Sequence, residues 1–384
     1  MKLLHVIPTL SPSAGGPPEA LRHLTQAYGD AGVEVEIATQ DDPGAPYLSS
    51  FHVPVYATGA PPGAYAYSPA LRGWLRERVA GYDGVIINGL WMYHNLAASI
   101  AARGRVPYVV FTHGMLDPWF KRQYPAKHLK KCLYWPAQYW VLRNAESVLF
   151  TSTRERDLAP QSFWPNGWKS VVVPYGTGEA PGDTEMQKQA WHRLVPSLRG
   201  RRYLLFLSRI HEKKGCDLLL EAFAGVAAQH PDLDLVIAGP DQVGLQAKLQ
   251  KKADDLGVTG RVHWPGLLTG DPKWGALRHC EAFVLPSHQE NFGVVVAEAL
   301  ACGRPVLISD QVNIWPDITQ EGVGLVAPDT LEGTASLLSR WLTMSEVERA
   351  AMSSRTCEVF RSRYSMRSCA FAIKQIFASL PLKK

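Results

Sequence analysis

Residues 286–309 read PSHQENFGVVVAEALACGRPVLIS. A strand-like run ends near Ser287, and a polar loop carrying Glu290 follows it. Gly293 allows close backbone approach, and an apolar run opens a helix near Val294. That helix stops at Gly303-Arg304-Pro305, and the Val/Ile run PVLIS starts another strand. The positive end of the helix faces the Glu290 loop, a natural place for an anion. Glu298 lies further along the same helix. The E-x7-E pair is too widely spaced to be neighbours on one helix, yet both carboxylates can face a ligand held at its N-terminus. A surface-loop carboxylate and an ordinary helix glutamate fit the same residues, so spacing alone leaves both readings open.

Outward from this stretch, strand-like runs alternate with helical ones along nearly the whole chain, as in a parallel sheet with helices on both faces. In the first half the runs are LLHVIP (3–8), VEVEIAT (33–39), GVIIN (84–88), PYVVFTH (107–113), SVLFTS (147–152) and SVVVP (170–174). In the second they are YLLFLS (203–208), LDLVIAG (233–239), RVHWPG (261–266), AFVLPS (282–287), PVLIS (305–309) and GLVAP (324–328). The fold class is therefore α/β, with two doubly wound domains. YGTGEAPGDTE (175–185) lacks apolar periodicity and reads as a linker, which predicts a cleft between the domains. From Ser345 onward the chain reads as helices with a stripe at Phe360, Tyr364, Ala370, Phe371 and Ile376.

The chain has 384 residues, 46% apolar and 20% charged, which is a folded globular composition. No apolar run approaches the roughly 18 residues of a membrane span. His5 and Pro8 interrupt MKLLHVIPTL before a signal-peptide core can form, so a first strand and a cytoplasmic protein are expected. Six scattered cysteines without a C-x-x-C pair point to reduced, mostly buried thiols rather than a zinc or redox site. A net charge of +5 is too mild for a dedicated nucleic-acid protein.

Two further segments bear chemistry. In SPSAGGPPEALRHL, Gly15 and Gly16 precede a helix starting near Pro17, where free N–H groups suit a phosphate or close substrate approach. A tight turn without a ligand is the alternative. LSRIHEKKGCDLLLEAF (207–223) puts Arg209, Lys213 and Lys214 at the C-terminal end of a strand, where open α/β sheets bind ligands. With Gly215 and the helix beyond, they make a cradle for a diphosphate. A solvated basic loop is the alternative there.

Together, Arg209, Lys214-Gly215, Glu290-Asn291-Phe292-Gly293, Glu298-Ala299 and Gly303-Arg304-Pro305-Val306 resemble the signature of family-4 retaining glycosyltransferases of the GT-B fold. The resemblance covers nearly the whole chain, with Gly15-Gly16, His113-Gly114 and a terminal helical segment like the family's return to the first domain. It implies an acceptor-binding Rossmann-like domain at 1–176, joined by about 362–384, and a nucleotide-sugar donor domain at 177–361. By the same resemblance, Arg209 and Lys214 hold the donor diphosphate, and Glu290 contacts the donor sugar. Asn291 belongs to the same donor-binding motif. Phe292 and Gly293 offer backbone N–H groups, and Glu298 accepts hydrogen bonds from the ribose. His113 lies beside the reacting centre, and Gly16 borders the phosphates or acceptor. The implied activity is hexosyl transfer with retention of configuration, in polysaccharide or lipopolysaccharide assembly. Neither metal nor cofactor is expected, the nucleotide diphosphate sugar being a co-substrate. The chain departs from the family at Pro174-Tyr175-Gly176-Thr177-Gly178 and at VNIWPDI (312–318), so no ligand role falls to the hinge or to Asp317.

A sugar-nucleotide epimerase or hydrolase using Glu290 and Glu298 as a carboxylate pair is the nearest rival. A non-catalytic nucleotide-sugar-binding subunit is the second. Asp232-Leu233-Asp234 matches a D-x-D metal motif but abuts a strand directly, so a strand-entry turn is expected. WFKRQYPAKHLKKCLYWPAQYWVLR (119–143) holds six Lys and Arg, seven Phe, Trp and Tyr, and no acid. It suits docking to anionic lipid headgroups, or to a lipid-diphosphate acceptor, at the inner face of the membrane. A helix with inward aromatics and solvated lysines is the alternative.

Overall fold

The computed structural model describes residues 1–380. The chain divides after Thr177 and again after Tyr364. Unit 1 comprises Met1–Thr177 and the chain from Ser365 onward; unit 2 is Gly178–Tyr364.

Unit 1 contains strands β1 (Lys2–Ile7), β2 (Glu34–Thr39), β3 (Val55–Ala57), β4 (Gly84–Asn88), β5 (Tyr108–Phe111), β6 (Ser147–Phe150) and β7 (Ser170–Val172). They form one sheet in the order β3-β2-β1-β4-β5-β6-β7. Unit 2 contains β8 (Arg202–Leu207), β9 (Leu233–Ala238), β10 (Val262–His263), β11 (Ala282–Leu285), β12 (Val306–Ser309) and β13 (Gly324–Ala327). Their order is β10-β9-β8-β11-β12-β13. Neighbours in both sheets pair in parallel, for example Leu4 opposite Glu36 and Val284 opposite Leu307. This is the α/β, doubly wound architecture expected. Strands covered on both faces need unbroken apolar runs, and GVIIN in β4 and AFVL in β11 are buried at every position.

Two sequence readings are corrected. No strand was expected at Val55–Ala57; this edge strand is three residues long and only half-buried, too short and too wet to leave a periodic signal. In the terminal stripe, Phe371 is exposed rather than buried. A π-helical turn at Phe360–Tyr364 ends one helix, and Ser365 caps the next, so the helical phase restarts. Met366, Cys369, Ala370, Ile373 and Phe377 form the buried face instead.

That last helix, Met366–Ala378, lies on unit 1. Lys374 Nζ donates to the Ala31 carbonyl at 2.6 Å, and Arg367 pairs with Asp30 at 2.9 Å. Gly84 makes room for it: a Cβ there would stand 2.2 Å from the Phe377 ring. Among the described residues, no helix is long and apolar enough to cross a membrane.

Candidate functional site

In doubly wound sheets, ligands bind beyond the carboxyl ends of the strands where the strand order reverses. In unit 1 that point lies between β1 and β4. Asn88 ends β4, and His113 sits in the turn after β5 with φ +47°, a left-handed conformation few side chains adopt. Glu155 fixes this turn. Its Oε1 accepts from Gly114 N–H and the Thr112 hydroxyl, both at 2.8 Å. Its Oε2 accepts from Thr151 N–H and hydroxyl, both at 2.7 Å.

A chain of neutral groups runs inward from His113. Its Nε2 is 3.2 Å from Asn88 Oδ1, which only accepts, so that nitrogen carries the proton. Asn88 Nδ2 then donates to His5 Nδ1 at 3.1 Å, and His5 Nε2–H donates to the Tyr28 hydroxyl at 3.2 Å. Burial lowers the His113 pKa to about 4. Burial, reinforced by the nearby His113, lowers His5 to about 3. Both imidazoles are therefore neutral at pH 7, and His113 can orient a hydroxyl but brings no positive charge.

Gly16 opens the helix Gly16–Asp30 as expected, but this terminus is a poor phosphate cradle. Pro17 and Pro18 remove two of its first four N–H groups, and Glu19 places a carboxylate in the first turn.

In unit 2 the order reverses between β8 and β11, and the sequence motifs converge there. Lys214 is buried and pairs with Glu290. Gly215 is what permits this, with φ +67° and no room for a side chain: a Cβ would meet the Pro286 carbonyl oxygen at 2.1 Å. His288 N–H donates to the Lys213 carbonyl at 2.9 Å, tying the two loops together. The Glu290 backbone is clamped by Gln311 and Asn313, each at 3.0 Å. Burial alone would raise the Glu290 carboxyl, but Lys214, Lys213 and Arg209 outweigh it and hold its pKa below the ordinary value. Arg209 itself is exposed, 3.4 Å from Gln242.

Gly293 caps the helix Val294–Ala301 in a left-handed conformation. Asn291 lies 3.5 Å from Asn313. The Phe292 side chain is buried against Tyr364, which leaves its backbone as the part available to a ligand. Glu298 is almost fully buried; its Oε1 takes Lys273 Nζ at 2.6 Å, while its Oε2 has no partner. A buried carboxylate oxygen left open is costly, and this one is free to accept a hydrogen bond from a hydroxyl. Ser287 Oγ, just past β11, is likewise buried and open.

Sequence reasoning missed Lys273, Asn88, His5 and Glu155. Asn88 and His5 carried a faint signal as polar residues within apolar strands; Lys273 and Glu155 carried none. The D-x-D acids are spent on ion pairs: Asp232 with Arg202, and Asp234, inside β9, with Arg201, Arg261 and His263. Tyr364 and Arg363 approach Asp317 at 3.3 and 3.6 Å.

Two Rossmann-like units, one with a cation–carboxylate cluster beside a helix N-terminus at its switch point, define a doubly wound α/β protein of two domains. The glycosyl transferase 4-like model matches residues 15–176, and the glycosyl transferases group 1 model matches residues 187–356. The chain belongs to the family-4 glycosyltransferases of the GT-B fold. It is 24% identical over 358 residues to a D-inositol 3-phosphate glycosyltransferase of Jonesia denitrificans, covering 86% of this chain and 84% of that one. It is also 24% identical over 339 residues to the GDP-mannose:cellobiosyl-diphosphopolyprenol alpha-mannosyltransferase of Xanthomonas campestris, covering 85% and 83%. Anabaena HepE, solved with UDP and glucose, shares the fold with a TM-score of 0.78 at 19% identity, over 99% of this chain and 100% of that one.

Proposed function

We propose that this glycosyltransferase moves a hexose from a nucleotide diphosphate sugar to a saccharide carried on a lipid diphosphate, with retention of anomeric configuration. The observation that carries the reading is the Lys214–Glu290 pair beside the Gly293 helix terminus. As the sugar–phosphate bond breaks, negative charge builds on the departing diphosphate. Lys214, Arg209 and the helix N-terminus stabilise that charge, the role a metal ion fills elsewhere. An ammonium has three donors, so Lys214 can hold Glu290 and a phosphate oxygen together. Glu290 accepts from the donor sugar, and the open Glu298 Oε2 accepts from the ribose. A leaving-phosphate oxygen takes the acceptor hydroxyl's proton on the same face as the new bond forms. No protein nucleophile enters. Within unit 1, the neutral His113 serves to orient an acceptor hydroxyl.

The relatives' names support the donor and acceptor classes: UDP in HepE, and GDP-mannose with a diphosphopolyprenol-linked saccharide in the Xanthomonas enzyme. Attachment to a membrane surface fits the helix Pro125–Arg143, where exposed Leu129 and Leu133 lie one turn apart among lysines. The test is incubation of UDP- and GDP-sugars with a polyprenyl-diphosphate saccharide, with product configuration read by NMR. Transfer with retention is expected. Rapid donor hydrolysis without acceptor, or an inverted product, would overturn the reading.

A further inference from the structure

Asn88 ends β4 with a side chain only 5% exposed, and its surroundings leave the amide a single orientation. Nδ2 lies 3.4 Å from the Val6 carbonyl oxygen and 3.3 Å from that of Ile86. Both are main-chain oxygens that only accept, so the amide nitrogen is the atom that faces them. Turned over, the amide would set its oxygen against two carbonyl oxygens, with no hydrogen between them. The backbone is pinned as well: His94 Nε2–H donates to the Asn88 carbonyl, and Gly89 N–H to the Phe111 carbonyl, both at 2.8 Å.

The consequence falls on His113. Asn88 Oδ1 can only accept, and it takes the hydrogen bond of His113 Nε2–H at 3.2 Å. A neutral imidazole carries one N–H, so Nδ1 is left with a bare lone pair. Burial, which lowers the pKa to about 4, keeps the ring neutral at pH 7. The ring plane is held too: it stacks on Phe111 at 5.1 Å and 14°, with Tyr175 at 6.0 Å. Among the described residues no group bonds Nδ1, and that nitrogen is open to solvent in a half-buried side chain.

An imidazole so held accepts and cannot donate. Nδ1 can take the hydrogen of a hydroxyl, but it meets an ether, an ester oxygen or a phosphate oxyanion lone pair to lone pair. A histidine free to change tautomer could serve all of them. The lock therefore discriminates where an unrestrained ring would not.

We propose that Asn88 is a positioning residue that locks His113 as an obligate acceptor, so that Nδ1 selects the acceptor saccharide by one free hydroxyl. The proposal rests on the transferase reading above and adds a specificity rule to its acceptor.

NMR of protein carrying ¹⁵N-labelled histidine reads the lock directly, because protonated and bare ring nitrogens resonate far apart; His113→Gln assigns the signals. At pH 7 the wild type should show one tautomer of His113, bare at Nδ1 and protonated at Nε2. Saturating methyl glycosides of glucose, mannose and galactose are then added in turn. At least one should move Nδ1 toward the protonated position, while the fully O-methylated glycosides, which have no hydroxyl, should not. Asn88→Asp sets a carboxylate against Nε2 and favours a second proton on the ring, so Nδ1 becomes a donor and the glycoside shift should vanish. Asn88→Ser, whose hydroxyl both donates and accepts, should give two His113 tautomers and weaken glycoside binding about tenfold, with melting and UDP or GDP binding as in the wild type. A protonated Nδ1 or mixed tautomers in the wild type, no response to any glycoside, an equal response to the O-methylated ones, or a single unchanged tautomer in Asn88→Ser would overturn the proposal. A wild-type protein that binds neither UDP nor GDP would overturn the transferase reading, with the His113 spectra still deciding this one.

Discussion

The two switch points solve the same problem with opposite electrostatics. In unit 1, Tyr28, His5, Asn88 and His113 form a buried chain of neutral groups, and burial keeps both imidazoles uncharged at pH 7. In unit 2, Lys214–Glu290 and Lys273–Glu298 are charged pairs, each buried enough to need its partner. A neutral network can position hydroxyls without attracting phosphate. Charged pairs keep buried cations from standing bare, since an unpaired buried charge is strongly destabilising. The proposed transferase reading assigns hydroxyl chemistry to unit 1 and leaving-group charge to unit 2.

Breaking the charged side should have the largest effect. Lys214→Met is expected to lower transfer by about 10²–10³. Glu290→Gln should lower turnover more than donor affinity, because its contact strengthens as the sugar moves. Steady-state kinetics on both variants, with melting curves as controls, check this.

A smaller effect is expected at the second pair. Lys273→Met leaves the buried Glu298 without its cation, which should weaken donor binding by about tenfold with little change in turnover. Unchanged KM would remove Glu298 from the ribose contact.

The neutral side should respond to pH instead. Free histidine titrates near 6.5, whereas folded His5 and His113 sit at about 3 and 4. The unfolded chain therefore binds more protons between those values, so stability is full above pH 6.5 and falls as pH drops toward 4. Denaturant midpoints across that window check the sign, and Asn88→Leu should change His113 turn geometry more than its charge state. A midpoint that rises on acidification would contradict the buried neutral chain.

The smallest effect concerns salt. Attachment through Lys121, Arg122, Lys127, Lys130 and Lys131 should hold the protein on anionic liposomes at low salt and release it at high salt. Changing those five residues to Gln should abolish it; equal binding to neutral vesicles would sink the idea.

Much of this was legible because parallel strands are buried on both faces and therefore write apolar runs into the sequence, as at β4 and β11. The convergence of Lys214-Gly215 with Glu290 to Gly293 was legible because both segments occupy strand-to-helix loops, where left-handed glycines at Gly215 and Gly293 restrict which residues fit. β3 was illegible because three half-buried residues at a sheet edge need no pattern. Lys273 was invisible since its role depends on a partner 25 positions away in the chain. The terminal stripe failed at Phe371 because a π-turn reset the helical phase, which periodicity cannot foresee.

The central claim is that unit 2 captures a nucleoside diphosphate with protein cations. Calorimetric titration of UDP and GDP, in the presence of EDTA, into wild type and Lys214→Met tests it directly. The account predicts binding by the wild type of at least one of the two, weakened about a hundredfold in a variant that melts normally. Equal affinity in both proteins, or binding only after Mg²⁺ is restored, would contradict it.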